Sequence, residues 1–423
     1  MARIILTTIC AAILLAGAAH AERLTLRDCL NKAAAANPEL KITAFDRKIA
    51  AEGIGIARSG YLPRLDFQGG YTAQQDPQAF LVQGMTMKTQ QEDYGHFSAA
   101  AEQTIYDFGR TSARYDRAKA VRDAAAFSYT AREQDVFLQV VQAYYGVLEY
   151  EKLLQAAEEE VAQMTDHLRV AKNLFQQGVV TRNDLLQAEV QLAASVQRRL
   201  IEANRVANGR LYLNYLIGQP PSFRADLEDA VGQETSSATG NTTGFDPDAR
   251  AEVKALRQGI LADELTIKES RSFYFPELFA RVGADYVQND RVQEQTILHA
   301  TVGLRINILD GLATTSRYRQ AVQSRAQSEE KLSTLKEQIR LEFDTATNDA
   351  RIAAERITTA ETAVKQGEEN LRINKDRYQE HVGTATDVID AQTLLTKTKT
   401  EYYRAIFDHQ VAVARIQKAK GEL

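Results

Sequence analysis

Residues 140–178 read VVQAYYGVLEYEKLLQAAEEEVAQMTDHLRVAKNLFQQG. Apolar residues return every seventh place at Val140, Val147, Leu154, Val161, Leu168 and Phe175. A second series follows three places behind, at Ala143, Tyr150, Ala157, Met164, Ala171 and Gly178. Two such series over about five heptads are the a and d positions of a coiled coil. The pattern recurs 203 positions later, with a positions at Phe343, Ala350, Ile357, Val364, Leu371 and Tyr378 and d positions at Ala346, Ala353, Ala360, Gly367 and Asn374. The small d residues let neighbouring helices approach closely. Gly109 to Gly218 thus reads as two long helices folded against each other at Gly178. No proline lies between Pro77 and Pro220 or after Pro276. An interior proline would cost roughly 3 kcal/mol, so its absence permits unusual length. At ~1.5 Å per residue the first arm is roughly 100 Å long.

Working outward, each helical hairpin is preceded by a strand pair. Leu65, Phe67, Gly69, Tyr71 and Ala73 alternate with Asp66, Gln68, Gly70, Thr72 and Gln74. Leu278, Ala280, Val282, Ala284 and Tyr286 alternate in the same way, and the return strand runs Ala300, Val302, Leu304, Ile306, Ile308. The first return strand is weaker, with Phe97, Ala99, Ala101 and Ile105 interrupted by Gln103. Period-two alternation over roughly ten residues suits a strand crossing an outer membrane, apolar side to lipid. A soluble half-buried hairpin shows the same alternation, and the pattern alone does not decide between them. Gln75 to Tyr94 reads as a polar loop; the shorter second loop, Gln288 to Gln295, changes the repeat offset from 213 to 203.

Both strand pairs are entered through matching residues, Arg58-Ser59-Gly60-Tyr61-Leu62-Pro63-Arg64-Leu65 and Arg271-Ser272-Phe273-Tyr274-Phe275-Pro276-Glu277-Leu278. Both lead into the rods through matching turns, Asp107-Phe108-Gly109 and Asp310-Gly311-Leu312. Upstream, Leu24 to Ser59 reads as helix, with Thr25 as N-cap, Asp28 completing a capping box, and Asn37-Pro38 as an interruption. The organisation expected is a signal peptide at 1–21, a first repeat at 22–218 (β-hairpin 65–106, helical hairpin 109–218), a linker at 219–247, and a second repeat at 248–423 (β-hairpin 278–308, helical hairpin 310–421). Gly232 to Gly244, rich in Ser, Thr, Gly and Asn, reads as a loop of little order.

The signal peptide rests on Arg3, the apolar run Ile4–Gly17 and the Ala19-His20-Ala21 cleavage site. Removing it leaves 50 − 56 = −6 formal charges, interspersed along the chain, which gives no nucleic-acid footprint. Cys29 then stands alone, so no internal disulfide is expected. No later apolar run reaches the ~20 residues of a spanning helix, so any insertion must use strands. Four strands cannot close a barrel, and unpaired edges cannot sit in lipid. Oligomerisation follows; three copies give 12 strands, an even number within the range of known barrels.

No catalytic site is expected. The six histidines lack metal-ligand spacing, and no phosphate-cradling loop is present. Gly53-x-Gly55 reads as chance, Glu158-Glu159-Glu160 as a solvated helix face, and no cofactor is implied.

The hairpin tips are the most informative local signals. Gly178-Val179-Val180-Thr181-Arg182-Asn183-Asp184 aligns with His381-Val382-Gly383-Thr384-Ala385-Thr386-Asp387. Asp184 and Asp387 suit helix N-termini. Asp390 lies three residues on, on the same face, opposite a neutral Gln187 in the other copy, and capping does not account for it. It reads either as a solvated surface carboxylate or, with Asp387 in a trimer, as part of a six-carboxylate ring that favours cations.

The signal peptide, the doubled architecture, the Tyr-Leu-Pro segment, the Asp-x-Gly turn and both tips together resemble the TolC-type outer-membrane efflux proteins over nearly the whole mature chain. That resemblance implies a mainly α fold with transmembrane β, built from two tandem repeats of helix, β-hairpin, long helix and helix. It implies a homotrimer in the outer membrane, a 12-stranded β-barrel continued by a coiled-coil α-barrel in the periplasm. It implies an exit duct for efflux or type I secretion, partnered by a periplasmic adaptor and an inner-membrane pump or ABC exporter. Asp387 and Asp390 match the family's constriction, and Gly178, Val179, Val180, Thr181, Asp184, Val382, Gly383 and Thr384 its adaptor-contacting tips. One departure is that the family's second-tip arginine is missing, with Arg182 of the first tip as a candidate substitute. The competing expectation is a periplasmic coiled-coil adaptor or scaffold, which would have one hairpin flanked by small β-domains.

Overall fold

The computed structural model describes residues 22–229 and 245–423. The signal segment and the Gly232–Gly244 loop lie outside the described residues. The chain forms two compact units, one from the described residues of 1–43, 129–251 and 336–423, the other from 44–128 and 252–335.

In chain order the elements are β1 (Glu22–Leu24), α1 (Leu26–Ala36), α2 (Pro38–Arg58), β2 (Arg64–Ala73), β3 (Ala79–Val82), β4 (Met85–Lys88), β5 (Asp93–Tyr106), α3 (Arg110–Gln176), α4 (Arg182–Leu216) and β6 (Ala225–Leu227). The second half repeats the plan with α5 (Ala251–Ser272), β7 (Glu277–Val287), β8 (Thr296–Arg305), α6 (Ala313–Gln379) and α7 (Ala385–Lys420). The expected doubling of long helix and return helix is therefore seen, and α3 and α6 are each 67 residues long. Each starts on an aspartate cap: Asp107 Oδ2 accepts from the Thr111 amide (2.8 Å) and hydroxyl (2.6 Å), and Asp310 Oδ2 from those of Thr314 (2.9 and 2.6 Å).

The second unit is organised on one antiparallel sheet in the order β2-β5-β7-β8, so both hairpins join through β5 and β7. Gln103, which interrupts the apolar pattern of β5, lies beside a register shift between Thr104 and Tyr106. A bulge there re-aims the strand end. β8 ends at Arg305, so Ile306 and Ile308 continue the alternation beyond the strand. The Arg110 guanidinium pairs with Glu277 at 3.1 Å and lies 4.2 Å from the centre of the Phe273 ring, fastening the start of α3 to β7.

The first unit has its core where Val136, Val140, Tyr144 and Val147 of α3 meet Leu24, Cys29, Leu40, Leu216, Ile217 and Phe407. Leu24 belongs to a strand, not a helix: β1 pairs in parallel with β6, inside the stretch expected to be linker. The Tyr144 hydroxyl sits between the carbonyls of Leu24 (3.2 Å) and Glu228 (2.7 Å), tying that pair to the core. Three-residue strands carry too little alternation to be read in advance. Asn37 makes the expected interruption between α1 and α2: its Oδ1 accepts from the Glu39 and Leu40 amides, and its Nδ2 donates to the Leu216 carbonyl at 2.8 Å.

Three expectations need correcting. The segment 75–94 is not simply a polar loop: β3 and β4 form a hairpin whose Phe80, Leu81, Val82, Met85 and Met87 are exposed. Its turn, Gln83-Gly84, has two positive φ angles (51° and 87°), the geometry that suits a two-residue hairpin. Second, Glu160 is not solvated; it is 1% exposed and paired with Arg198 of α4. Third, the α3 seam holds only in part. Val140, Ala143 and Val147 are buried, but nearer the tip the buried residues are Glu160, Met164, His167, Ala171 and Leu174, while Phe175 is 39% exposed. The d residues stay covered and the partner column moves from a to g. The cause is the set of neighbours within the chain: this part of α3 meets α4, α6 and α7 through Glu160–Arg198, His167–Tyr378 and Glu159–Lys399. In α6 the a/d seam stays buried at Phe343, Ala346, Ala350, Ala353, Leu371 and Tyr378.

Candidate functional site

The sheet of the second unit has two unlike faces. Register places Leu65, Phe67 and Tyr71 of β2 beside Ala101, Ala99 and Gly95 of β5, and Phe97, Ala99 and Ala101 beside Tyr286, Ala284 and Val282 of β7. The same face continues through Leu298, Val302 and Leu304 of β8. It is apolar and open: Leu65, Phe67, Leu298 and Val302 are each more than two-thirds exposed. An apolar surface of that extent marks an interaction with lipid or protein. Phe67, Phe97 and Tyr286 stack in a row across three strands, with centroid separations of 6.2 Å for both pairs.

The opposite face carries charge and imidazole. Arg64 pairs with Asp66 at 2.7 Å, Arg305 with Glu102 at 3.2 Å, and His299 with Asp285 at 3.2 Å. The doubling extends to a detail missed in sequence. His96 lies across Gly70, and His299 across Gly283, so that a Cβ on either glycine would fall within 2.8 Å of the ring. Both pairs recur at the repeat offsets, 70 to 283 and 96 to 299. The signal was present in the sequence as a Gly and a His on facing strands, but it needs the register to be seen.

Both hairpin tips are in the first unit and share one design. Each long helix ends on a left-handed residue, Gly178 (φ 75°) and His381 (φ 63°). The Val179 amide bonds back to the Leu174 carbonyl at 2.9 Å and that of Val382 to the Arg377 carbonyl at 2.8 Å. Each return helix then starts with a full capping box, Thr181 with Asp184 and Thr384 with Asp387. The two aspartates therefore do cap, as their spacing indicates. The Asp387 carboxyl is held below its ordinary value first by the Thr384 amide, then by the Thr384 hydroxyl.

The tips lie side by side. Thr386 at the start of α7 reaches Gln187 of α4 at 3.4 Å. Beneath them a small cluster joins Leu174, Leu371, Tyr378, Val388 and Leu395, with Val180 against it. Val179 and Val382 point outward, 47% and 69% exposed, so each tip offers one bare valine. Gly383 sits close to Arg377, with space for a Cβ only at 3.2 Å from the arginine's own. Asp387 is half-buried, whereas Asp390 is exposed and has no hydrogen bond or ion pair among the described residues. Arg182 is likewise exposed and makes no ion pair there.

Cys29 is fully buried in the core, and burial pushes its thiol up to about 12, which makes it unreactive. No helix among the described residues is long and apolar enough to cross a membrane.

A sheet with one exposed apolar face and two unpaired edges, joined in sequence to doubled helical hairpins, suits strands that face lipid rather than a closed globular domain. The chain belongs to the outer membrane efflux protein family, whose pattern matches residues 29–219 and 248–422. It is 22% identical over 409 residues to outer membrane protein TolC of Vibrio cholerae, covering 94% of this chain and 91% of that one. It is 21% identical over 369 residues to the proteases secretion protein PrtF of Dickeya chrysanthemi, covering 84% and 79%. Among solved structures, CusC, described in connection with transmembrane channel formation, superposes with a TM-score of 0.81 at 14% identity, covering 93% of this chain and 91% of that one. The protein is thus an outer-membrane exit duct of the efflux and type I secretion class, and its place is the Gram-negative outer membrane with a periplasmic extension. The adaptor or scaffold expectation is set aside: the family pattern spans both halves, and the two hairpins form one sheet.

Proposed function

We propose that three copies of this chain assemble into the duct, and that each works with a periplasmic adaptor and an inner-membrane pump or ABC exporter. The observation that carries the assembly is the pair of free sheet edges, β2 and β8. Each unpaired backbone group in hydrocarbon costs several kcal/mol, so β8 of one copy pairs with β2 of the next. Three copies close 12 strands, with the apolar face to lipid and the charged face to the lumen. The half-open a column of α3, ending in Phe175, supports the same reading on the helical side, because a helix in a closed cylinder needs a neighbour on both flanks. The two repeats are proposed as 22–218 and 248–423, in keeping with the matched spans.

The tips Gly178–Thr181 with Asp184, and Val382–Thr384, are proposed as the adaptor contact, with Val179 and Val382 as the apolar points. Asp387 and Asp390 are proposed as the constriction. Asp390 carries the larger share, since the Asp387 carboxylate is already engaged by Thr384. The test is planar-bilayer recording of purified protein. Channels should conduct, and Asp390→Ala should weaken block by multivalent cations about tenfold, one lost carboxylate per copy removing on the order of 1.4 kcal/mol of attraction. Unchanged block removes the constriction assignment; a monomer by mass with no conductance removes the trimer.

A further inference from the structure

The cluster beneath the tips holds an arrangement that packing does not account for. His167 of α3 is 5% exposed, and its Nε2 has no hydrogen-bond partner. Its ring lies 5.2 Å from that of Tyr378 on α6, which is 4% exposed and whose hydroxyl is likewise without a partner. Both residues line one small cavity with Gln163, Asp166, Lys375 and Val388. Two orphaned buried polar groups side by side leave a hydrogen-bonding deficit within the contact between α3 and α6.

The charges facing His167 are few. From α6 comes the Lys375 ammonium, which donates to Gln163. From α3 itself comes Asp166, which acts on Lys375, and the first turn of α4 brings Asp184 near Tyr378. The residue of α7 at the cavity is apolar Val388. Among the described residues no carboxylate pairs with the imidazole, while burial and the nearby ammonium both oppose its protonation.

We propose that this contact is an acid-labile latch: α3 and α6 stay packed below the tips while His167 is neutral, and part as the imidazole takes up a proton. The proposal rests on the duct reading only for its consequence, easier opening of the tips in acid. Packed His167 binds its proton more weakly than a released histidine. The contact is therefore intact above the ordinary imidazole value near pH 6.5 and weakens as pH falls below it. Release at an ordinary value, against negligible protonation when packed, raises the open population by about tenfold at most between pH 7.5 and 5.5.

The experiment is hydrogen exchange of the detergent-solubilised full chain at both pH values, corrected for intrinsic rates, read over residues 164–177 and 371–379, with bilayer conductance in parallel. The natural chain should exchange up to about tenfold faster at pH 5.5. His167→Leu should flatten that response, with His167→Gln as the alternative should the leucine variant not fold. Tyr378→Phe, which removes the orphan hydroxyl but not the titrating group, should slow exchange and keep the response. An acid response that survives in His167→Leu or His167→Gln overturns the latch. Absence of any response in the natural chain does so too, with the duct reading untouched if channels still conduct. An exchange response without conductance at either pH would uphold the latch and sink the duct.

Discussion

Removing Arg198 isolates a carboxylate that the fold has already buried. Glu160 is 1% exposed; Arg198 Nε donates to its Oε2 at 3.1 Å, and Nη2 donates to Oε1. Breaking a buried pair from one side costs about 3–5 kcal/mol, because the remaining charge loses its partner but not its burial. Arg198 itself is 42% exposed, so water enters the space it leaves. That halves the figure to roughly 2 kcal/mol for Arg198→Ala. Glu160→Ala should cost less, about 1 kcal/mol, since the arginine can turn to solvent. Glu160→Leu combined with Arg198→Ala should recover most of the loss, because neither charge remains and leucine suits the d/g seam. Hydrogen exchange over residues 153–165 and 192–203 reads the effect, about thirtyfold faster opening for 2 kcal/mol. Arg198→Ala exchanging within twofold of the natural chain would refute the reasoning. So would a double variant as labile as the single one, which would show that the arginine acts by packing alone.

Other outcomes follow from the same geometry. Gly218→Ala should lower the urea midpoint through a loss of about 3 kcal/mol: its φ of 67° is left-handed, and a Cβ would lie 2.5 Å from that of Ala36. His381→Gly, at φ 63° on an exposed tip, should slow tip exchange about threefold by relieving left-handed strain of roughly 0.5–1 kcal/mol. Asp387→Asn should speed exchange of the first turn of α7 at pH 7, and the difference should shrink progressively as pH falls below about 4. The lowered carboxyl value means that the cap strengthens the turn above about pH 4 and is lost as pH falls below that.

Most of the fold was legible because its elements are long and doubled. Sixty-seven-residue helices without proline, and strands with ten-residue alternation, leave few alternatives once the same order appears twice. The capping aspartates were legible for the same reason, since Thr181-x-x-Asp184 and Thr384-x-x-Asp387 are complete local motifs. Features that depend on a distant partner were hidden. β1 and β6 are three residues each and exist by pairing across some 200 positions. The Gln83-Gly84 hairpin lacks the Asn-Gly or Asp-Gly signal. Glu160 looked solvated because it sits in a run of three glutamates, and only Arg198, 38 residues away, shows otherwise. At the tips, the spacing already set Asp387 apart as a capping residue and left Asp390 without that role, and the structure agrees: the Asp387 carboxylate accepts from the Thr384 amide, while Asp390 makes no hydrogen bond or ion pair among the described residues.

The shift of the α3 seam bears on more than bookkeeping of burial. A heptad pattern with both a and g edges apolar or paired is wider than one neighbour can cover. On α6 the chain itself covers the a/d seam, but on the tip-side part of α3 it covers d and g and leaves Leu168 half-buried and Phe175 open. The sheet shows the same incompleteness in another form, with β5 and β7 paired on both sides and β2 and β8 on one. Solvent could satisfy a lone exposed phenylalanine, and it could satisfy a lone strand edge in water. It cannot satisfy an edge whose flanking face is Leu65, Phe67, Leu298 and Val302, because the environment that welcomes those side chains holds no water for the backbone. The proposed assembly meets both deficits, with β2 of another copy against β8 and helices of another copy against the open column of α3. Substituting Phe175 by Glu should accordingly reduce oligomer yield while leaving the monomer's own core intact, and an unchanged oligomer by native mass would place the contact elsewhere.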